Sequence, residues 1–155
     1  MQRRSLIALG GITFIAPAWA HHGWSSFDTD RPLFLEGTVA KVAWRNPHAE
    51  FDLKLRADLK LPADLAQRPV PAQAAQIDGA RLLGAAQLPK RKDPVWHIEL
   101  APLTRLEAWR VAELKVGDAV SLLGYTFAGE KGEPVLRAEY LFAQGKVFGL
   151  RSAPA

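Results

Sequence analysis

Four histidines carry most of the chemistry this chain can offer: His21, His22, His48 and His97. There is no cysteine, and the one methionine is Met1. No thiol is therefore present to act as a nucleophile, no disulfide staples the fold, and no thiolate or thioether set is available for Cu(I). Imidazole, carboxylate and the chain terminus remain as ligands. Cleavage after Ala20 would expose His21 as a new terminus. Its amine and ring nitrogen would then chelate as a pair, and a second imidazole would complete the T-shaped nitrogen set of a histidine brace. Cu(II) and Ni(II) favour such tetragonal nitrogen and oxygen sites. The expected metal ligands are accordingly His21, His22 and His48, and the expected cofactor is Cu(II) or another divalent metal. An exposed terminus and a turn histidine would account for the same three residues without a metal.

His48 is positioned by the stretch from Glu36 to Leu55, which reads as two strands meeting at Asn46-Pro47-His48. Thr38, Val39, Val42 and Trp44 favour a strand, and Phe51, Leu53 and Leu55 alternate with Glu50, Asp52 and Lys54. Pro47 lacks an N–H for a ladder and pushes Asn46 out of the helical region, so it suits a corner. Parity puts His48 with Glu50, Asp52 and Lys54 on the outer face. The first strand carries the chain about 30 Å away from its start, so an arm bearing His21 reaches His48 only if that strand coils or the arm is extended.

The chain opens with Met1-Gln2-Arg3-Arg4, an apolar run from Leu6 to Ile15, and Ala18-Trp19-Ala20. These are the parts of a secretory signal peptide over residues 1–20, and Arg3-Arg4 is also the core of a twin-arginine signal. The run is shorter than the ~20 residues of a spanning helix, so no stable membrane span is expected after cleavage. The expected location is the periplasm or the exterior. Of 20 Lys and Arg against 16 Asp and Glu, losing Arg3 and Arg4 leaves 18 against 16, a net of +2. That balance, with export, argues against a nucleic-acid partner.

Beyond the signal, residues 21–32 read as an arm that Trp24 and Phe27 would pin to the surface, and 33–150 as one domain. Strands are expected over Leu33 to Trp44, Ala49 to Leu55, Val95 to Ala101, Ala119 to Phe127 and Val135 to Phe142, with a short edge strand over Lys146 to Leu150. Gly37 suggests a bulge or tight bend. Leu103 to Leu114 carries a helical stripe. Residues 56–94, rich in Ala, Pro, Gln and Leu, read as a long surface insertion, partly ordered at best, with Pro89-Lys90-Arg91-Lys92 as a solvated loop tip. Residues 151–155 form a tail. Three strands, a helix and two strands is the order of an OB barrel, so the expected fold is a mainly β, five- to six-stranded OB-like Greek-key barrel with one helix between strands three and four. A more open sandwich with one packed helix is the alternative.

The series His21-His22-Gly23-Trp24, Leu35-Glu36-Gly37-Thr38-Val39, Trp44-x-Asn46-Pro47-His48, Trp96-x-x-Glu99 and Leu114-Lys115-Val116-Gly117-Asp118 resembles an uncharacterised family of small exported bacterial proteins. The resemblance covers most of the chain after residue 20 except Arg56 to Pro94, where the family typically has a short hairpin. A G-S-P-N-type stretch usual after the glutamate is here Ala101-Pro102-Leu103-Thr104. The resemblance implies export and a barrel-like fold, and supplies no activity.

Two classes of function follow. One is a small exported binding protein holding a divalent metal at its N-terminal histidines. The other is an accessory module that docks a periplasmic protein, a saccharide or a small ligand on the outer face of strands two and three, where OB barrels bind. Asp52, Lys54, His97 and Glu99 would line that face. His97 falls outside the metal set, because strand pairing places it beside Asp52 or Lys54, several residues from His48. No phosphate loop, nucleophile elbow or metalloprotease helix is present, which reads against an enzyme. The processing expectation has a direct check: intact-mass measurement of the exported protein should give a chain beginning at His21, and a mass retaining residues 1–20 would overturn it.

Overall fold

A computed structural model describes residues 23–155; His21 and His22 lie outside the described residues. Six strands form one sheet: β1 (Leu33–Ala43), β2 (Glu50–Leu55), β3 (Val95–Glu99), β4 (Ala119–Tyr125), β5 (Val135–Ala143) and β6 (Lys146–Gly149). Their order is β3-β2-β1-β4-β5-β6, and a parallel pairing of β3 with β5 closes the first five into a ring. β6 hangs on β5 outside the ring. The ring order is that of an OB barrel. Two short helices accompany it, α1 (Gly79–Gly84) and α2 (Leu103–Ala108), the latter between β3 and β4.

Alternation explains the barrel core. Leu33, Leu35 and Val39 of β1, Phe51 and Leu53 of β2, Trp96 and Ile98 of β3, and Leu136, Ala138 and Leu141 of β5 all join one buried cluster. β1 serves two neighbours in turn, pairing with β4 from Leu33 to Thr38 and with β2 from Gly37 to Ala43. The hand-over needs Gly37, since a Cβ there would lie 2.1 Å from the Lys54 carbonyl oxygen. A register shift between Val39 and Lys41 adds the bulge that lets the strand coil. The helix expected to run to Leu114 ends at Ala108 instead. Arg110 takes φ 54°, and the Trp109 ring N–H is drawn off to the carbonyl of Ser152.

The insertion differs most from expectation. It packs: Leu65, Leu82, Leu83 and Ala86 form a second buried cluster with Phe34, Leu123 and Tyr140 on the outer face of the barrel. Phe34 and Leu123 are fully buried although their barrel-facing neighbours already fill the core. Covering a side chain of that size contributes about 1.5–3 kcal/mol. Asp78 caps α1 by accepting from the Arg81 amide at 3.0 Å, and the Phe34 amide donates to the Gln87 carbonyl at 2.8 Å. Residues 151–155 join the same layer, with the Ala74 amide donating to the Ala153 carbonyl and that of Ala155 to Ala72.

The basic run is likewise no free loop tip. The Lys90 and Arg91 amides, each at 2.9 Å, and the Arg31 guanidinium, at 2.5 Å, all donate to the buried Glu130 carboxylate. The Arg91 guanidinium donates to the Glu130 and Gly132 carbonyls and lies over the Trp96 ring, 5.7 Å from its centroid. Burial alone would raise the Glu130 carboxyl; the two amides and Arg31 outweigh it and hold it below the ordinary 4.5. Its folded value is thus below its unfolded one, so this group's stabilisation is full above the ordinary value and is lost as pH falls through the folded value. Glu130→Gln should cost about 1–3 kcal/mol in urea unfolding at neutral pH, and should flatten the loss of stability on acidification below the ordinary glutamate range.

Candidate functional site

The arm is anchored by aromatic stacking. Phe27 bridges to Phe127 with ring centroids 5.1 Å apart, and the Asp28 amide donates to the Thr126 carbonyl. Trp24, in a 3₁₀ turn (Trp24–Ser26), meets the Tyr125 ring edge-on at 6.2 Å. Two guanidinium groups complete the seat: Arg151 lies 3.8 Å and Arg137 5.2 Å from the Trp24 ring centroid. Each cation is answered by a buried carboxylate. Arg151 donates to Glu139 at 2.9 and 2.6 Å, and Arg137 to Glu99 at 3.0 Å. Glu139 is the extra residue where β5 slips register against β4, which turns its fully buried side chain toward the tail. Gln73 of the insertion also reaches it, at 3.4 Å. Burial, then the nearby Glu139, push the Tyr125 hydroxyl up to about 12.

Arg137 joins this seat to the corner. Its second terminal nitrogen lies 3.3 Å from His48 Nε2. A guanidinium only donates, so this contact is a hydrogen bond in the His48 tautomer that keeps its ring proton on Nδ1 and turns the Nε2 lone pair to Arg137. The corner itself contains a cis Asn46–Pro47 bond. It returns the chain along β3, with the Ala49 amide donating to the Ala101 carbonyl and that of Leu100 to Ala49. The coiling of β1 thus removes the distance between arm and corner: Trp24 and His48 contact the same guanidinium.

The expected ligand face divides. His97 pairs in register with Asp52, and its Nδ1 lies 3.1 Å from Asp52 Oδ1 while Nε2 lies 3.6 Å from Glu50 Oε2. Both ring nitrogens therefore face carboxylates. Lys54 lies opposite Val95 at the exposed far end. Glu99 shares the parity of His97 but is 8 % exposed and committed to Arg137. A cleft of about 420 Å³ runs between the end of β1, from Lys41 to Arg45, and Glu50, Asp52 and His97 on β2 and β3; His48 lines it too. His48 and His97 therefore share a cleft. Among the described residues no group of three or more His, Cys, Asp or Glu is arranged to hold a metal ion.

Arg137, Glu139 and Arg151 were missed in the sequence. The signal lay in Val135-Leu136-Arg137-Ala138-Glu139-Tyr140-Leu141-Phe142, where charges sit in a strand apolar on both faces. Charges in such a strand need partners in the layer that covers it. The tail supplied one of them.

Residues 11–60 match the model of a family of unknown function, DUF6152. The matched segment includes the arm, β1, the corner and β2. No curated protein matches the chain, and no solved structure does.

Removing Arg151 would leave Glu139 buried with only the long contact to Gln73. Arg151→Met should therefore destabilise the protein by about 3 kcal/mol, read by urea unfolding. Arg151→Met combined with Glu139→Gln should recover part of that loss, because the stranded charge is gone. Equal loss in the single and double variants would refute a buried-charge origin.

Proposed function

We propose that this chain is a small exported binding protein that takes a divalent cation of the Cu(II) class where its N-terminal arm meets the Asn46-Pro47-His48 corner. One observation carries the reading. The lone pair of His48 Nε2 is aimed at the guanidinium on which Trp24 rests, and Trp24 is separated from His22 by Gly23 alone. The reading takes the two residues that precede Gly23 in the sequence, His21 and His22, as the source of the remaining nitrogens, with an amine added if processing exposes His21.

The donors suit the metal. The chain after Met1 holds no sulfur, and imidazole with amine nitrogen is a Cu(II) or Ni(II) donor set. Local charge is compatible as well, since Arg137 and Arg151 are each neutralised by a carboxylate. His48 would ligate through Nε2 in place of its contact with Arg137, with His21 and His22 as partners. Bound there, such an ion would supply Lewis acidity or one-electron chemistry; the residues of this chain supply its ligands and the seat that fixes the arm.

A second reading, an accessory module that docks a small ligand or periplasmic partner on the barrel face, is favoured by the cleft beside His97. Calorimetric titration of metal-free protein beginning at His21 separates the two. The expected outcome is sub-micromolar Cu(II) binding that weakens at least ~10-fold both in His48→Ala and in a form with one added N-terminal residue. Weak binding indifferent to both changes would overturn the metal reading.

A further inference from the structure

We infer that the cleft between the end of β1 and the outer faces of β2 and β3 is a binding site for a small hydroxylated carboxylate, the chemistry of a sugar acid. This inference rests on the barrel-face reading; His48 lines the cleft and also belongs to the proposed metal site, so the test is made on metal-free protein. The cleft volume of about 420 Å³ lies within the 300–1,000 Å³ typical of small-molecule sites.

The charge arrangement selects the ligand. Lys41 lies directly opposite Asp52 in the β1–β2 ladder, the position where a cross-strand ion pair normally forms. Asp52 turns instead to its other ladder neighbour, His97, at 3.1 Å. Glu50 faces the same ring from the second nitrogen at 3.6 Å. Among the described residues Lys41 therefore has no carboxylate within ion-pairing distance, and the exposed Arg45, two positions beyond Ala43 on the same wall, has none either. The cleft thus holds two uncommitted cations along one wall and two carboxylates organised by an imidazole along the other.

An anionic group meets the cations. A wholly anionic ligand would meet repulsion from Glu50 and Asp52 unless it also carried donors. Hydroxyl groups are such donors, because a carboxylate has about four acceptor positions and His97 takes up at most one of those on Asp52. A neutral sugar would satisfy the carboxylates and leave Lys41 and Arg45 unanswered. A simple carboxylate would do the reverse. A molecule with both features uses both walls, and the Asn46 side chain at the mouth adds a further donor and acceptor.

The test uses chelator-treated protein and three probes, glucuronate, glucose and acetate, followed by amide and imidazole chemical shifts in NMR titrations. Glucuronate should bind at least ~10-fold more tightly than either other probe, with shifts centred on Lys41, Arg45 and His97. Lys41→Ala with Arg45→Ala should weaken glucuronate ~10-fold and bring it level with glucose. Both residues are exposed, so the variant should fold like the parent. Glucose binding as tightly as glucuronate, indifferent to loss of the two cations, would overturn the acid inference while leaving the barrel-face reading standing. No saturable shift from any probe would overturn both, whatever the Cu(II) titration gives.

Discussion

The parallel pairing of β3 with β5 is the constraint on which the rest depends. Only three residue pairs make it, His97 with Val135, Ile98 with Leu136 and Glu99 with Arg137, yet they turn an open sheet into a closed ring. Closure pairs the open edge of β3 with the stretch of β5 that β6 leaves uncovered and fills the interior with Trp96, Ile98, Leu136 and Ala138. The last of the three pairs is doubled by an ion pair between its side chains at 3.0 Å, with both groups nearly buried. Arg137 then reaches His48 and supports Trp24. The residue that finishes the barrel therefore also gathers the corner and the arm, so the site is a consequence of how the sheet closes.

The insertion and tail complete that logic from the outside. Phe34, Leu123 and Tyr140 place apolar surface on the outer wall of the barrel, which a bare OB barrel would expose to water. Leu65, Leu82 and Leu83 cover it, and Gln73 extends the cover to the fully buried Glu139. The tail pairs with residues 72–75 and delivers Arg151 onto both Glu139 and Trp24. The insertion and the tail thus share one carboxylate of β5. A cation stacked on a tryptophan contributes about 0.5–2 kcal/mol, and stranding a buried carboxylate costs more than that. The arm is consequently the lightest partner of the assembly, held by groups whose main attachment is elsewhere.

What could be read from the sequence was whatever depends on period or on a single local rule. The alternation in Glu50 to Leu55 and Val95 to Glu99 located β2 and β3 and gave the correct parity for His97 and Asp52. The insertion was not legible, because its leucines follow no single period; they fit a curved outer wall and no helix or strand template. Arg137 with Glu99 and Arg151 with Glu139 depend on pairings across 38 and 12 residues. Of the two routes from arm to corner that the sequence left open, an extended arm or a coiled strand, the coiled strand is the one seen. A strand that changes partner at Gly37 and bulges beyond Val39 does not advance in a straight line.

Whether a dication is tolerable at the corner is decided by Glu99. At about 6 Å from a guanidinium, a doubly charged ion would be repelled by on the order of 5 kcal/mol at an effective dielectric constant of ~20. That is more than half of the ~8 kcal/mol that micromolar affinity represents, so an unpaired Arg137 would largely forbid the site. A carboxylate in contact with the same guanidinium cancels most of that repulsion at the metal, because the ion then faces a dipole and not a net charge. A metal at Nε2 would also displace the hydrogen bond from Arg137 to His48, whose net worth is about 1 kcal/mol and which stands at a long 3.3 Å. An Arg137 already paired with Glu99 would let its contact with His48 give way to a competing cation at small cost, which is the condition the metal reading needs.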